Sequence, residues 1–522
     1  MADLPKGLLR PVAVLMGRWR AAGWLVLVPC FATAVGCGGL HAAGSGGLAA
    51  GTRSGPAAAG SWGRARQVPG TEPMSRQYAG DDGKAAVGIG ISSVACPAPR
   101  ECAASGGYVD ETFNFLVFVT GQHSGQWANA VPAPGAADLA ANGDAAQSQM
   151  SSGPFLSEVA CSSADNCALA GNYQAPDPAQ DTRPLLAIER AGVWGQAQPV
   201  SGQATAVLTI SCPPGAAGQC VAGGLSQAGY SGPASGFVVT ESRGVWGRAQ
   251  PVPGSTGAVT AMSCPAAGSC LAGGSGYLAG SDYPVPPYGT AFLASENGGR
   301  WGPARPVPGL SRLTSGKSAV DSISCAGVGD CAVGGAFKDL TGRVQLFVAD
   351  ERSGVWGQAQ PVPGLAALNM GGRALLTQVS CGLPGDCAAG GWYLDQKQLQ
   401  QAWVATETDG RWGRAEEVPA TAALNARGNA ALTSISCTAA GCAAGGWYTG
   451  GVRRHTQTAF LATERRGTWR AATQVPGLAA LNPGGDTFIT AVSCAPSGWC
   501  AAVGDYIDAA STETRMFVVT QR

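Results

Sequence analysis

Short apolar runs, each closed by a fixed polar signature, recur along the chain from residue 61 to its end. The unit is clearest at residues 376–419, LTQVSCGLPGDCAAGGWYLDQKQLQQAWVATETDGRWGRAEEVP. An apolar run ends in Ser-Cys, and a second cysteine follows six residues on. A small-residue run then ends in aromatics, a further apolar run ends in Thr-Glu, and Gly-x-Trp opens a last segment ending in Val-Pro. This pattern predicts four short strands per unit. In the first strand, seen as VLTISC, VTAMSC, VDSISC, LTQVSC, LTSISC and ITAVSC, apolar residues occupy both alternating sets. The third strand (GFVVTE, AFLASE, LFVADE, AWVATE, AFLATE, MFVVTQ) is almost continuously apolar. Such strands need cover on both faces. The first cysteines of successive units lie 51 to 65 residues apart, which is too short for an independent core, so the units must stack. Four-stranded sheets covered on both sides by neighbouring sheets are the blades of a β-propeller, an all-β fold.

The ends of the array predict how it closes. The tryptophan that marks the fourth strand occurs at Trp62, Trp127, Trp194, Trp246, Trp301, Trp356, Trp412 and Trp469. The first of these, in SWGRARQVPG at residues 61–70, precedes every cysteine pair, while the last unit stops at MFVVTQR without a tryptophan strand. An N-terminal fourth strand that completes a three-stranded C-terminal blade closes a ring. The expectation is therefore an eight-bladed propeller sealed by residues 61–70. The alternative is seven blades plus a degenerate unit, because the unit carrying Cys96 and the stretch 135–157 depart most from the pattern.

Apart from Cys30 and Cys37, the cysteines fall into the close pairs Cys96/Cys102, Cys161/Cys167, Cys212/Cys220, Cys264/Cys270, Cys325/Cys331, Cys381/Cys387, Cys437/Cys442 and Cys494/Cys500. Local, even pairing in an exported chain reads as disulfides, each across the turn between first and second strands. Zinc is the rival, but it prefers Cys-x2-Cys spacing or histidine partners, and the only histidines are His41, His123 and His455. No metal site or cofactor is expected. Export itself is read from residues 1–37. There Lys6, Arg10, Arg18 and Arg20 precede an apolar run that ends Ala34-Val35-Gly36-Cys37, which resembles a bacterial lipobox with Cys37 as the lipidated residue. The alternative is ordinary cleavage near His41-Ala42-Ala43. Residues 38–60, rich in Gly, Ala and Ser, read as a flexible tether, leaving 61–522 for the propeller. Lysine plus arginine equals aspartate plus glutamate, 33 of each, so no field attracts nucleic acid, and membrane contact is expected only through the lipid.

The recurring S-C-x-x-x-x-x-C-x-A-x-G core, with its apolar strand and Gly-x-Trp, resembles the cysteine-paired propeller repeats of secreted actinobacterial proteins, a family without an assigned activity. The resemblance spans residues 61–522. The hairpin Thr408-Asp409-Gly410-Arg411-Trp412 is also similar to the Asp-box of sialidase-like propellers. That box reads Ser-x-Asp-x-Gly-x-x-Trp, and here one residue fewer separates Gly from Trp. The box is itself a turn motif, so the resemblance implies no catalysis.

Recurrent charged residues read as cross-strand pairs: Glu241, Glu296, Glu351, Glu407 and Glu464 on third strands, with Arg248, Arg305 and Arg414 on fourth strands. The tryptophans read as hairpin packing. His123 and His455 break the repeat, but they stand in loops with no accompanying motif and read as solvated. No catalytic residue is assigned. Chain direction puts the cysteine turns and Gly-x-Trp turns on one face of the disc, with the longer, variable connections on the other. Binding resides on variable loops over a rigid scaffold. The candidate binding residues are the aromatics where second strands meet that face: Tyr277, Trp392, Tyr393, Trp447 and Tyr448, with Tyr173 and Tyr506 equivalent. They either stack on a ligand or plug the blade ends. The pattern favours a monomeric, extracytoplasmic binding or interaction scaffold for an unidentified protein or glycan. The alternative is a carbohydrate-active hydrolase or lyase on a sialidase-like propeller, which would require acids and arginines from different blades facing the channel.

Overall fold

The computed structural model describes residues 61–74, 90–110, 115–140, 157–174, 182–216, 218–227, 234–275, 289–314, 316–425, 428–450, 456–508 and 513–522. Eight small antiparallel sheets form an eight-bladed β-propeller. Blades are numbered here by disulfide, from blade 1 (Cys96–Cys102) to blade 8 (Cys494–Cys500). Blade 6 illustrates the unit, with strands Ala374–Leu383, Asp386–Leu394 and Gln400–Thr408. Its fourth strand is two short pieces, Arg411–Trp412 and Glu416–Glu417, both paired to the third strand. The single fourth strand expected from the sequence is thus broken. Between its halves the Ala415 N–H turns away to the carbonyl of Pro363 in the preceding blade.

That break recurs around the whole rim. The N–H groups of Ala65, Ala130, Ala197, Ala249, Ala304, Ala359, Ala415 and Ala472 donate to Pro476, Pro69, Pro134, Ser201, Pro253, Pro308, Pro363 and Pro419 respectively, at 2.6 to 2.9 Å. The alanine two residues after Gly and the Val-Pro ending of the repeat are therefore the two sides of one blade-to-blade bond.

A second circuit runs around the channel, where each innermost strand touches the next and blade 8 touches blade 1. Adjacent innermost strands belong to separate sheets, so side chains bridge them. The Ser of each Ser-Cys accepts the N–H of the next blade's first cysteine: Ser211 from Cys264, Ser263 from Cys325, Ser324 from Cys381, Ser380 from Cys437, Ser436 from Cys494 and Ser493 from Cys96, at 2.9 to 3.1 Å. Blades 1 and 2 carry Ala95 and Ala160 in place of serine, so the N–H groups of Cys161 and Cys212 have no hydroxyl to meet there.

Innermost strands also carry a bulge four residues before the cysteine, as between Leu376 and Gln378. The bulged Thr260, Thr377 and Thr433 hydroxyls donate to Val320, Leu432 and Ile489 carbonyls of the next blade, an example of a bulge re-aiming a side chain. The glycine doublet of the second strand follows from this geometry. A Cβ on Gly391 would collide with the Leu375 carbonyl at the bulge, and one on Gly390 would press into Ile435 and Leu432 of the next blade. The hairpins before tryptophan are two-residue turns with positive φ at both positions, as at Asp409 (47°) and Gly410 (77°), which matches the strand twist.

The N-terminal segment seals the last blade. Arg66–Gln67 pairs antiparallel with Thr514–Thr520 in the register Arg66↔Val518 and Gln67↔Phe517, with a further bridge from Trp62 to Gln521.

All eight cysteine pairs are disulfides within their own hairpins: Cys96–Cys102, Cys161–Cys167, Cys212–Cys220, Cys264–Cys270, Cys325–Cys331, Cys381–Cys387, Cys437–Cys442 and Cys494–Cys500, with Cα atoms 3.9 to 4.1 Å apart. Some of them depart from the blade 6 pattern. Cys220 follows its partner by eight residues and Cys442 by five, where the unit has six, yet both hairpins bring the Cα atoms to about the same distance, 4.1 and 4.0 Å. The turn absorbs the difference in length. Cys270 bridges to Cys264 across a register shift between Ser263 and Ala266, and Cys102 to Cys96 across the equivalent shift between Ala95 and Ala98. Such a set of disulfides fits an oxidising, extracellular compartment. Among the described residues no helix is long and apolar enough to cross a membrane.

Candidate functional site

On the loop face, the aromatic candidates divide. Tyr393, Trp447 and Tyr448 are buried, Tyr448 to 2% exposure. The Tyr448 hydroxyl accepts from Gln474 Nε2 at 2.6 Å. Tyr173 and Tyr506 are buried as well. These rings are buried at the blade ends and offer no open stacking surface. Trp392 is half-buried. Tyr277, Cys37 and His455 lie outside the described residues.

Among the described residues, the loop face presents two connections of individual shape that are pinned by their own aspartates. The Asp339 carboxylate accepts from the N–H and hydroxyl of Thr341 and the N–H of Arg343 at 2.7 to 2.9 Å. Asp395 accepts from the Lys397 and Leu399 N–H groups at 2.7 and 2.9 Å. The Arg343 guanidinium then reaches the Asn369 and Met370 carbonyls of the next linker at 3.2 and 2.7 Å. Leu340 (80% exposed) and Met370 (52%) are displayed on these tied loops.

The disulfide face holds a group that the repeat pattern hides. The recurrent acids at the ends of third strands do not pair across their own hairpins with Arg248, Arg305 or Arg414. Glu241 instead takes the Arg190 guanidinium of the preceding blade at 3.1 Å, and Glu407 takes that of Arg352. The reason is position: Arg190 and Arg352 sit at the third-strand ends, opposite Val193 and Val355, and so project over the junction toward the next blade. Tryptophans cross the same junctions, with Trp412 Nε1 donating to Asp350 and Trp469 Nε1 to Thr406 Oγ1.

At the junction of blades 1 and 2 the arginine position is His123, opposite Gln126. His123 Nδ1 lies 2.9 Å from Asp165 Oδ1 and 3.5 Å from Glu101 Oε2. Glu101 is held by the Ser124 N–H, which donates to its Oε1 at 2.8 Å. Asp165 has a left-handed backbone, φ 59°, at the turn position where blades 4, 5 and 6 place Gly268, Gly329 and Gly385. The buried Glu189 completes the lining of the cleft. Burial pushes its carboxyl up to about 7, with Asp165 adding to the effect and His123 opposing it. Burial also raises Glu407 to about 7, reinforced by Asp350 and opposed by Arg352. The cleft admits a water-sized sphere in about 10 Å³, room for one water or one ion and far too little for a sugar ring.

The disulfides divide at this face too. Cys102 and Cys167 line the His123 cleft, and Cys331, Cys381 and Cys387 line the equivalent cleft between blades 5 and 6. Cys220, Cys270 and Cys442 staple their hairpins and are not among the residues lining these two clefts. His123, expected as a solvated loop side chain, is in fact part of the cluster with Glu101 and Asp165. The sequence did contain a pointer: aligning units on their tryptophans puts His123 in the column of Arg190, Arg352 and Arg465.

No protein-family model matches the chain, and no curated protein matches it. Among solved structures it is similar to an ulvan lyase of the polysaccharide lyases, at 8% identity over 83% of this chain and 94% of that one, with a TM-score of 0.43. It is similar to a sialidase of Trypanosoma rangeli at 10% identity, covering 89% of this chain and 59% of that one, with a TM-score of 0.34. The β-propeller domain of the trilobed protease of Pyrococcus furiosus is similar at 7% identity, over 76% of this chain and 98% of that one, with a TM-score of 0.41.

Proposed function

We propose that the protein is a monomeric, extracytoplasmic binding or interaction scaffold that presents its loop face to a protein or glycan. In this reading residues 1–37 direct export, lipid on Cys37 anchors the chain or cleavage releases it, and residues 38–60 tether the disc. The observation that carries the reading is the pair of pinned loops on blades 5 and 6. Ordering a loop before it meets a partner removes an entropic cost from binding, and Asp339, Asp395 and Arg343 do so while Leu340 and Met370 stay exposed. A screen of glycans and extracellular proteins against the mature chain tests this. Any ligand found should lose on the order of tenfold or more in affinity when Leu340, Met370 and Trp392 are replaced by alanine, since a few anchors dominate such surfaces. Changes in the disulfide loop at residues 382–386 should leave it unaffected. Equal binding by the triple variant would move the site elsewhere.

A carbohydrate-active hydrolase or lyase is the second reading, favoured by one observation: Glu189 and His123 are groups able to hold and move a proton side by side. Their cleft lies on the disulfide face and is too small for a sugar ring, which supports binding over turnover. Polysaccharide cleavage that is lost on Glu189→Gln would reverse that preference.

A further inference from the structure

We propose that Glu101, His123 and Asp165, with Glu189 behind them, hold one divalent transition-metal ion of the zinc class that staples blade 1 to blade 2. This is independent of what the loop face binds.

The ligand atoms of Glu101, His123 and Asp165 all lie within 4.8 Å of one another. Tetrahedral ligands at about 2.0–2.2 Å from zinc sit about 3.3–3.6 Å apart; the Glu101 separation of 3.5 Å fits this, and the Asp165 separation of 2.9 Å is a direct hydrogen-bond distance that an ion would open by about half an ångström. Glu101 is already aimed, since the Ser124 N–H holds its Oε1 and leaves Oε2 toward the histidine. A set of one imidazole nitrogen and several carboxylates selects a transition ion over calcium or magnesium, which prefer oxygen alone.

Glu189 supplies the independent evidence. Its counterparts Glu241 and Glu407 receive an arginine from the preceding blade and Glu464 receives the Gly467 N–H, while Glu296, facing a blade with Ser242 at the arginine position, is buried with Oε2 unpartnered. Glu189 is 5% exposed, lines the same cleft and has no hydrogen-bond donor on its carboxylate among the described residues. A buried carboxylate without a cation is costly, and the position that holds Arg190 and Arg352 at two other junctions holds a metal-ligating side chain here. The same junction lacks the inner clasp, because the Ala95 side chain cannot accept the Cys161 N–H. An ion bound by Glu101 and His123 of blade 1 and Asp165 of blade 2 would supply both the missing charge and a missing link.

Zinc binding to the chelator-stripped mature protein tests this, by titration calorimetry and by thermal melting in zinc or in chelator. One ion per chain is expected, with a melting temperature that rises with zinc. His123→Ala and Asp165→Ala should each weaken binding on the order of tenfold or more. His123→Arg is the sharper variant, because it supplies the arginine that Arg190 and Arg352 provide at two other junctions. It should bind no zinc at this site and melt in chelator at or above the parent. Absence of zinc binding by the parent, or undiminished binding by His123→Arg, overturns the proposal; the latter outcome would locate the ion elsewhere on the chain.

Discussion

Asp321 occupies the bulge position that threonine holds in blades 4, 6, 7 and 8, and it is buried with Oδ2 unpartnered. Burial pushes its carboxyl up to about 8, opposed by the Ala336 N–H. In the unfolded chain the same carboxyl titrates near its ordinary 3.8. Between these values the folded state holds the proton and the unfolded state does not, so the stability this residue permits is full below about pH 4 and falls as pH rises to about 8. Asp321→Thr is expected to melt above the parent at pH 8, with the gap closing toward pH 4; a gap that is constant with pH would contradict the burial argument. Gly391→Ala should cost about 3 kcal/mol in denaturant unfolding, since its Cβ has no room beside the Leu375 carbonyl. Such residues were visible in the sequence only as recurrences. The cysteines explained themselves by their pairing, and even the longer Cys212–Cys220 and shorter Cys437–Cys442 loops obeyed it. The serine beside each first cysteine has its partner in the next unit, which no local pattern reveals.

Strands and turns were legible because their causes are local: two-sided apolar runs, a two-residue Gly turn and directly opposed cysteines. The joints between blades were not, because they link residues about one unit apart. The inner clasp makes this testable. Ser380→Ala leaves the buried Cys437 N–H without an acceptor and should cost about 1–3 kcal/mol. Ala95→Ser, which offers Cys161 the bond made at six other junctions, should instead stabilise by about 1 kcal/mol; destabilisation would mean that this junction is built differently. The aromatic blade ends belong to the same scale. Second strands end in aromatics because the blade must be closed over its core, and the sequence shows the residue type without showing whether the ring faces in. Trp447→Ala or Tyr448→Ala should lower stability by about 3–5 kcal/mol in thermal unfolding, as core truncations do.

Across the whole molecule, two circuits and one strand pairing meet at one seam. The Ser493 clasp to Cys96, the Ala130 bond to Pro69 and the pairing of Arg66–Gln67 with Thr514–Thr520 all join the two ends of the array. Eight tryptophans set out of phase with eight cysteine pairs announced this closure, because a count of repeats is a global property that the sequence does carry. The variable loops are the reverse case: their lengths were readable, but the aspartate turns and the Arg343 tie depend on contacts between units. The most direct test of the closed ring compares the mature chain with one lacking residues 61–70, using amide hydrogen exchange, melting and sedimentation. Closure predicts that the truncated chain loses protection along Thr514–Thr520, melts earlier and self-associates through the exposed apolar edge. Unchanged protection, melting and monomeric state in the truncated chain would contradict it.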